Sequence, residues 1–282
     1  MNINYLNFSN STVFHEGTVP YFSFSLLDKT DFVINAFSTR LGGVSDGYFK
    51  SLNLSHTVGD DDDKVTENFR RFGNSIGICV DNMVYAKQTH TVNVMKVPKE
   101  HMGMGVIKER DFDNIDGLIT NEPGICLVTS YADCVPLFIV DKVNRAIGLS
   151  HSGWRGTVGD IAGVTIKKMS EEYGSRPNDL SVFIGPSICG NCYEIGADVA
   201  EYFAKKYGPS VFEDILFIRD NNKFKLDLHR ANYHNFITAG VQPENIGVTD
   251  ICTCCNPDIL FSHRASKGKR GGLCGFLMIK NN

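Results

Sequence analysis

Two imidazoles and a thiol, those of His90, His151 and Cys134, could together hold a borderline-soft metal such as Zn²⁺, with Cu²⁺ as the other fit. Three protein ligands leave one tetrahedral position open to water or substrate, which would make such a site catalytic rather than structural. The three residues lie 44 and 17 positions apart, so no local spacing rule connects them. Any one of them, taken alone, is equally an ordinary packed residue of an α/β core. Context separates Cys134 and His151 from that background. Each follows or divides an apolar run and stands beside a polar residue, Asp133 or Ser152, that a plain core would not choose. The same pair also admits a metal-free chemistry, with Cys134 as thiolate nucleophile and His151 as its base in a cysteine hydrolase or amidase.

A second chemistry concerns anions. Ala146-Ile-Gly-Leu149 reads as a strand, Ser150 to Thr157 as a glycine-bearing loop, and the stretch from Val158 as a helix with apolar residues at Ile161, Ala162, Thr165, Ile166 and Met169. A strand-to-helix junction presents unpaired N–H groups and the positive end of the helix dipole to the loop, and Arg155 adds a planar fork suited to phosphate oxygens. A solvated Arg155 on a plain turn is the rival reading. Arg40, between a strand-like run and the Gly42-Gly43 turn, could likewise receive an anion. Near the C-terminus, Phe261-Ser-His-Arg264 and Lys267-Gly-Lys-Arg-Gly-Gly272 gather positive charge in a flexible loop that could close over a phosphate. Asp60 to Asp63 are expected to cap a helix rather than bind Ca²⁺, because the twelve-residue ligand spacing is missing.

Nine cysteines are an odd number, and no secretion signal accompanies them, so a disulfide framework is not expected. Cys189-Gly-Asn-Cys192 and Cys252-Thr-Cys254-Cys255 invite a four-thiolate zinc reading. Their separation of 60 residues exceeds the roughly 15–20 of paired zinc knuckles. Packed free thiols are the expectation there.

These residues must be carried by regular elements. Residues 84 to 97 alternate around Gln88 and His90 as a half-buried strand would. Ile125 to Thr129 and Val135 to Val140 read as two buried strands with a tight junction at Ser130 to Cys134. Strand-like and helical stretches alternate without repeats, which predicts a mixed α/β fold. The glycine-rich and then charged stretch 103–113 is expected to be a mobile loop rather than a domain boundary. A net charge of −4 without a basic stripe argues against nucleic acid and for a small-molecule substrate. No basic leader or long apolar run argues for a membrane role, and a soluble cytoplasmic protein is expected. A laccase-type oxidase would need more histidines than the eight present, many of them as His-x-His pairs that this chain lacks.

Nine blocks, in order, carry a more specific resemblance. They are Ser38-Thr-Arg-Leu-Gly-Gly-Val-Ser45, Leu52-Asn-Leu54, Gln88-Thr-His90, Asp116-Gly117, Ala132-Asp-Cys-Val-Pro-Leu137, His151-Ser-Gly-Trp-Arg-Gly-Thr157, Ile184-Gly-Pro-Ser-Ile188, Cys192-Tyr-Glu194 and Phe261-Ser-His-Arg264. Nearly the whole chain thereby resembles the laccase-domain or multicopper polyphenol oxidase family, since regarded as purine nucleoside phosphorylases with adenosine deaminase activity. The resemblance implies one α/β domain over residues 1–282, an α/β/β/α sandwich with a mixed-sheet core and outer helices. It implies metal ligands at His90, Cys134 and His151, holding Zn²⁺, with copper also proposed.

The implied substrates are adenosine, inosine, guanosine and S-methyl-5′-thioadenosine, with phosphate as co-substrate. Catalytic roles are expected at Asp133, Cys134 and Arg155, with Asp133 either shuttling a proton to departing ammonia or orienting a metal ligand. Substrate or phosphate contacts fall on Arg40, Asn53, Gln88, Arg155 and Arg264. Where many members read like Tyr-Arg-Arg-Asp and then Thr-Gly-Arg, this chain has Ser266 to Gly272 instead, so the resemblance assigns Arg270 no contact.

Overall fold

A computed structural model describes residues 3–6, 11–219 and 223–281. Most strands of this chain are too apolar on both faces to meet water, and two mixed sheets stacked on each other solve that problem. The first sheet runs, in spatial order, Thr12–His15, Tyr21–Phe24, Val33–Ser38, Leu273–Ile279, Cys126–Tyr131 and Met83–Tyr85. The second runs Ile246–Val248, Leu180–Ile184, Val135–Asp141, Ala146–Ser152, Gly117–Thr120 and Val94–Lys96. Neighbours are antiparallel except at one edge of the first sheet and at both edges of the second. Between the sheets lie the buried rings of Phe22, Phe24, Phe37, Phe138 and Phe183 with Leu127, Leu149 and Leu277. Full burial of each such ring contributes about 1.5–3 kcal/mol.

Helices cover the outer faces. Asp62–Ile76 lies on the first sheet through Val65, Phe69, Phe72 and Ile76. As expected of the acidic run, Asp61 caps this helix, accepting from the backbone N–H groups of Asp63 and Lys64, and Gly77 ends it at φ 72°. Ile161–Tyr173 and Leu228–Thr238 cover the second sheet. The layers are those of the expected α/β/β/α sandwich. A small third sheet of Glu194–Ile195, Lys223–Leu226 and Leu216–Arg219 stands beside it.

Three expectations need correction. Residues 84 to 97 are not one strand: Met83–Tyr85 ends in the first sheet, Val94–Lys96 begins in the second, and the chain between crosses from layer to layer. The helix read from Val158 is divided into Trp154–Val158 and Ile161–Tyr173, because Asp160 takes a left-handed conformation and caps the second piece through Gly163 N–H. The two cysteine clusters are not separate. Strand-like pairing of Ser187 with Cys252 joins their loops, and Sγ of Cys189, Cys192, Cys252 and Cys255 all lie within 4.8 Å of one another. The stretch 103–113 is a loop, as expected, pinned where Arg110 donates to the carbonyls of Tyr85 and Ala86.

Candidate metal centre and its cleft

Two of the places where the chain passes between the sheets meet at one point. Cys134 ends the Ala132-Asp-Cys134 crossing from Cys126–Tyr131 to Val135–Asp141, and His90 lies on the 86–93 crossing. The strand Ala146–Ser152 brings His151 opposite Pro136, next to Cys134. Two crossing residues, His90 at φ 65° and Asp133 at φ 86°, hold left-handed backbone conformations that cost a non-glycine residue on the order of 1–3 kcal/mol. Ladder bonds cannot fix such backbone.

The buried carboxylate of Asp116 does so at His90. It accepts from the N–H groups of Thr89 at 3.0 Å, His90 at 3.1 Å and Thr91 at 2.9 Å, and from the Thr91 hydroxyl at 2.9 Å. It also accepts from His151 Nδ1 at 2.8 Å. Burial alone would raise the Asp116 pKa, but the His151 and Thr91 hydrogen bonds overcome it and bring the carboxyl down to about 2. With Nδ1 committed to Asp116, His151 is left with Nε2 as its free ring nitrogen.

The ligand atoms of His90, Cys134 and His151 lie within 4.8 Å of one another, and the imidazole rings meet edge to face at 5.0 Å. Burial opposes ionisation of the Cys134 thiol. The charge and hydrogen bond of His151, joined by His90, prevail and lower it to about 6. His151 is raised to about 9, since Cys134 and Asp116 outweigh its burial. A Cβ on Gly153 would stand 3.1 Å from both Cys134 Sγ and His90 Cδ2, so this glycine keeps the space at the three donors clear. Borderline-soft donors, an oriented imidazole and a cleared cradle fit a divalent metal such as zinc. Asp116→Asn is expected to weaken metal binding by about 10–100-fold, the usual cost of losing a carboxylate behind a ligating histidine. Competition with a chromophoric chelator measures it, and unchanged affinity would remove Asp116 from this role.

The trio opens onto a cleft of about 460 Å³ whose walls include Gln88, Tyr131, Tyr193, His263, Arg264 and Arg270. A smaller pocket of about 110 Å³ adjoins it, sharing Asp133 and Cys134 and adding Trp154, Arg155 and Leu228. A wider groove of about 950 Å³ elsewhere is lined by charged groups that pair with each other, Lys87 with Asp113 and His56 with Asp62, and by none of the candidate residues.

Not every candidate reaches the cleft. Gln88 does, with its amide locked on Ser130 by a donated bond to the carbonyl and an accepted one from the N–H. Asp133 lines both cavities while its oxygens accept from the Thr253 hydroxyl at 2.6 Å and Arg264 N–H at 2.7 Å. Arg264 lies over the Tyr193 ring and donates to the carbonyls of Cys192 and Glu194. Arg155 is exposed and lies 4.2 Å over Trp154. Asn53 lies behind the wall, fully buried, donating to Asp60 and the Ser55 carbonyl and accepting from the N–H groups of Ser55 and Gly272. Arg40 is not brought to the cleft. Its guanidinium serves the carbonyls of Lys50 and Pro257 and stacks on Phe261.

Arg270, to which no contact was assigned, projects into the cleft. Its Nη1 reaches only the neighbouring Gly271 carbonyl, and its buried Nε has no hydrogen-bond partner among the described residues. Burial lowers its pKa, with Asp133 and Cys134 opposing. Its position in a departed motif hid it. Tyr193 and Asp116 were visible only as members of larger blocks.

A family model described as multi-copper polyphenol oxidoreductase laccase matches residues 34–280. The chain belongs to this laccase family. Similar proteins include the purine nucleoside phosphorylase YlmD of Bacillus subtilis (strain 168), 34% identical over 252 residues, with 88% of this chain and 89% of that one covered. Adenosine deaminase RL5, from an unknown prokaryotic organism, is 33% identical over 248 residues, covering 84% and 93%. The crystal structure of YlmD from Geobacillus stearothermophilus superposes with a TM-score of 0.87 at 32% identity, covering 96% of this chain and 100% of that one. Multicopper chemistry fits this laccase-family chain poorly on its ligand inventory. Among the described residues only two groups of three or more potential metal ligands occur, and the second is all cysteine.

Proposed function

We propose that residues 1–282 act as one domain, a cytoplasmic zinc-dependent purine nucleoside enzyme. It splits adenosine, inosine, guanosine and S-methyl-5′-thioadenosine with phosphate and deaminates adenosine to inosine. The observation that carries this reading is a three-ligand set opening onto a cleft that also holds Arg270, whose buried Nε has no hydrogen-bond partner among the described residues. The names of the relatives supply the substrate class. No helix among the described residues is long and apolar enough to cross a membrane.

His90, Cys134 and His151 would hold the ion, which when bound supplies Lewis-acid charge beside the substrate. The remaining chemistry belongs to the chain. Tyr193, shared by both cavities, offers an aromatic face for the purine. Arg270 and Arg264 hold the phosphate whose oxygen attacks C1′ as the base departs, and Arg155 flanks the smaller pocket. Asp133, fixed by Thr253 and Arg264, is the proton carrier for ammonia leaving C6 in deamination. Gln88 keeps the His90 crossing in register with Ser130.

Incubation with adenosine should give adenine and ribose 1-phosphate when phosphate is present and inosine when it is absent, followed by chromatography. Absence of all three products would refute the reading. The lowered thiol and raised imidazole also suit a cysteine hydrolase. Full activity in metal-free protein would favour that second chemistry.

A further inference from the structure

Cys189, Cys192, Cys252 and Cys255 belong to no step above, yet their sulfurs converge from two Cys-x-x-Cys turns. We propose that they form a second metal site, a closed tetrathiolate centre for Zn²⁺, distinct from the open site at Cys134. A tetrahedron with Zn–S of about 2.3 Å has sulfur–sulfur edges of roughly 3.8 Å. All four Sγ atoms lie within 4.8 Å of one another, and Cys192 and Cys255 are 3.5 Å apart. All nine cysteines are free thiols, so no cross-link competes for these sulfurs.

The backbone around them is arranged for thiolates. N–H groups of Asn191 and Cys192 point at Cys189 Sγ, and those of Cys189, at 3.3 Å, and Cys255 point at Cys252 Sγ. The 189–193 turn is closed by the N–H groups of Cys192 and Tyr193, each 3.0 Å from the Cys189 carbonyl. Such amide donors disperse the negative charge that four sulfurs bring to one cation. Cys189 and Cys252 are buried, while Cys192 and Cys255 are partly exposed, so the centre is shielded on one side and an ion can enter from the other.

With four protein ligands and no open position, the centre is structural. It ties together a loop that lines the cleft and a loop that braces it. The first carries Ile188 and Tyr193. The second carries Thr253, whose hydroxyl holds Asp133. Cys254, the fifth thiol, is not part of the group.

The test uses full-length protein purified under reducing conditions, with Cys134→Ala disabling the open site. About one zinc ion per chain should remain, and X-ray absorption should show an all-sulfur shell at about 2.3 Å. Adding Cys192→Ser and Cys255→Ser should remove that ion, whereas adding Cys254→Ser should leave it. Should the double substitution fail to fold, the absorption spectrum of Cys134→Ala decides alone. A Cys134→Ala protein free of zinc, or one whose zinc has nitrogen or oxygen neighbours only, overturns the proposal. So does a folded protein in which these four thiols react with a thiol reagent equally before and after chelation.

Discussion

Cys134→Ala is expected to abolish phosphate-dependent release of hypoxanthine from inosine. The substitution reduces three candidate ligands to two and removes the group that holds His90 and His151 together. A Lewis acid contributes several kcal/mol to a transition state. At 1.36 kcal/mol per tenfold, losing about 4 kcal/mol lowers kcat/KM by about 10³-fold. Steady-state kinetics with metal analysis on the same sample measure both effects. Turnover within tenfold of the parent, with the ion retained, would show that Cys134 is not a ligand of catalytic consequence.

Arg270→Met is expected to separate the two activities. Methionine keeps an unbranched stem of similar reach but removes the fork whose Nε has no partner in the described structure. Hydrogen bonds to charged groups are worth about 1.5–3 kcal/mol each, so losing two to a phosphate costs about 10²–10⁴-fold in kcat/KM for phosphate. Adenosine deamination, which uses no phosphate, should stay within about tenfold, since losing only the packing of the stem costs little more than 1 kcal/mol. Equal losses in both reactions would mean that Arg270 shapes the cleft instead of binding the anion.

Much of the scaffold was legible because its signals are local. The apolar runs around Cys134 and the acidic start of the 62–76 helix each carry their reason within a few residues. The crossing at 86–93 was misread as strand because its residues alternate while its backbone partners lie elsewhere: Asp116, more than twenty residues away, supplies the acceptors. Only the family blocks single out the trio, because the chemistry of its members does not separate them from the other histidines and cysteines. The 60-residue gap hides the convergence of the four thiols, because sequence distance is blind to the pairing of Ser187 with Cys252. Arg40 shows the opposite failure. Its charge was plain, but its destination on two loop carbonyls was not.

The meeting of two interlayer crossings at the trio has a thermodynamic consequence. No two of its donors are close in sequence, so an unfolded chain offers an ion nothing like this set. An ion that binds only the docked layers stabilises them by mass action, about 2.7 kcal/mol at a free concentration one hundred times its dissociation constant. If the trio holds an ion, its supply also adds to how firmly the two sheets stay together, and starvation for it would lower thermal stability along with turnover.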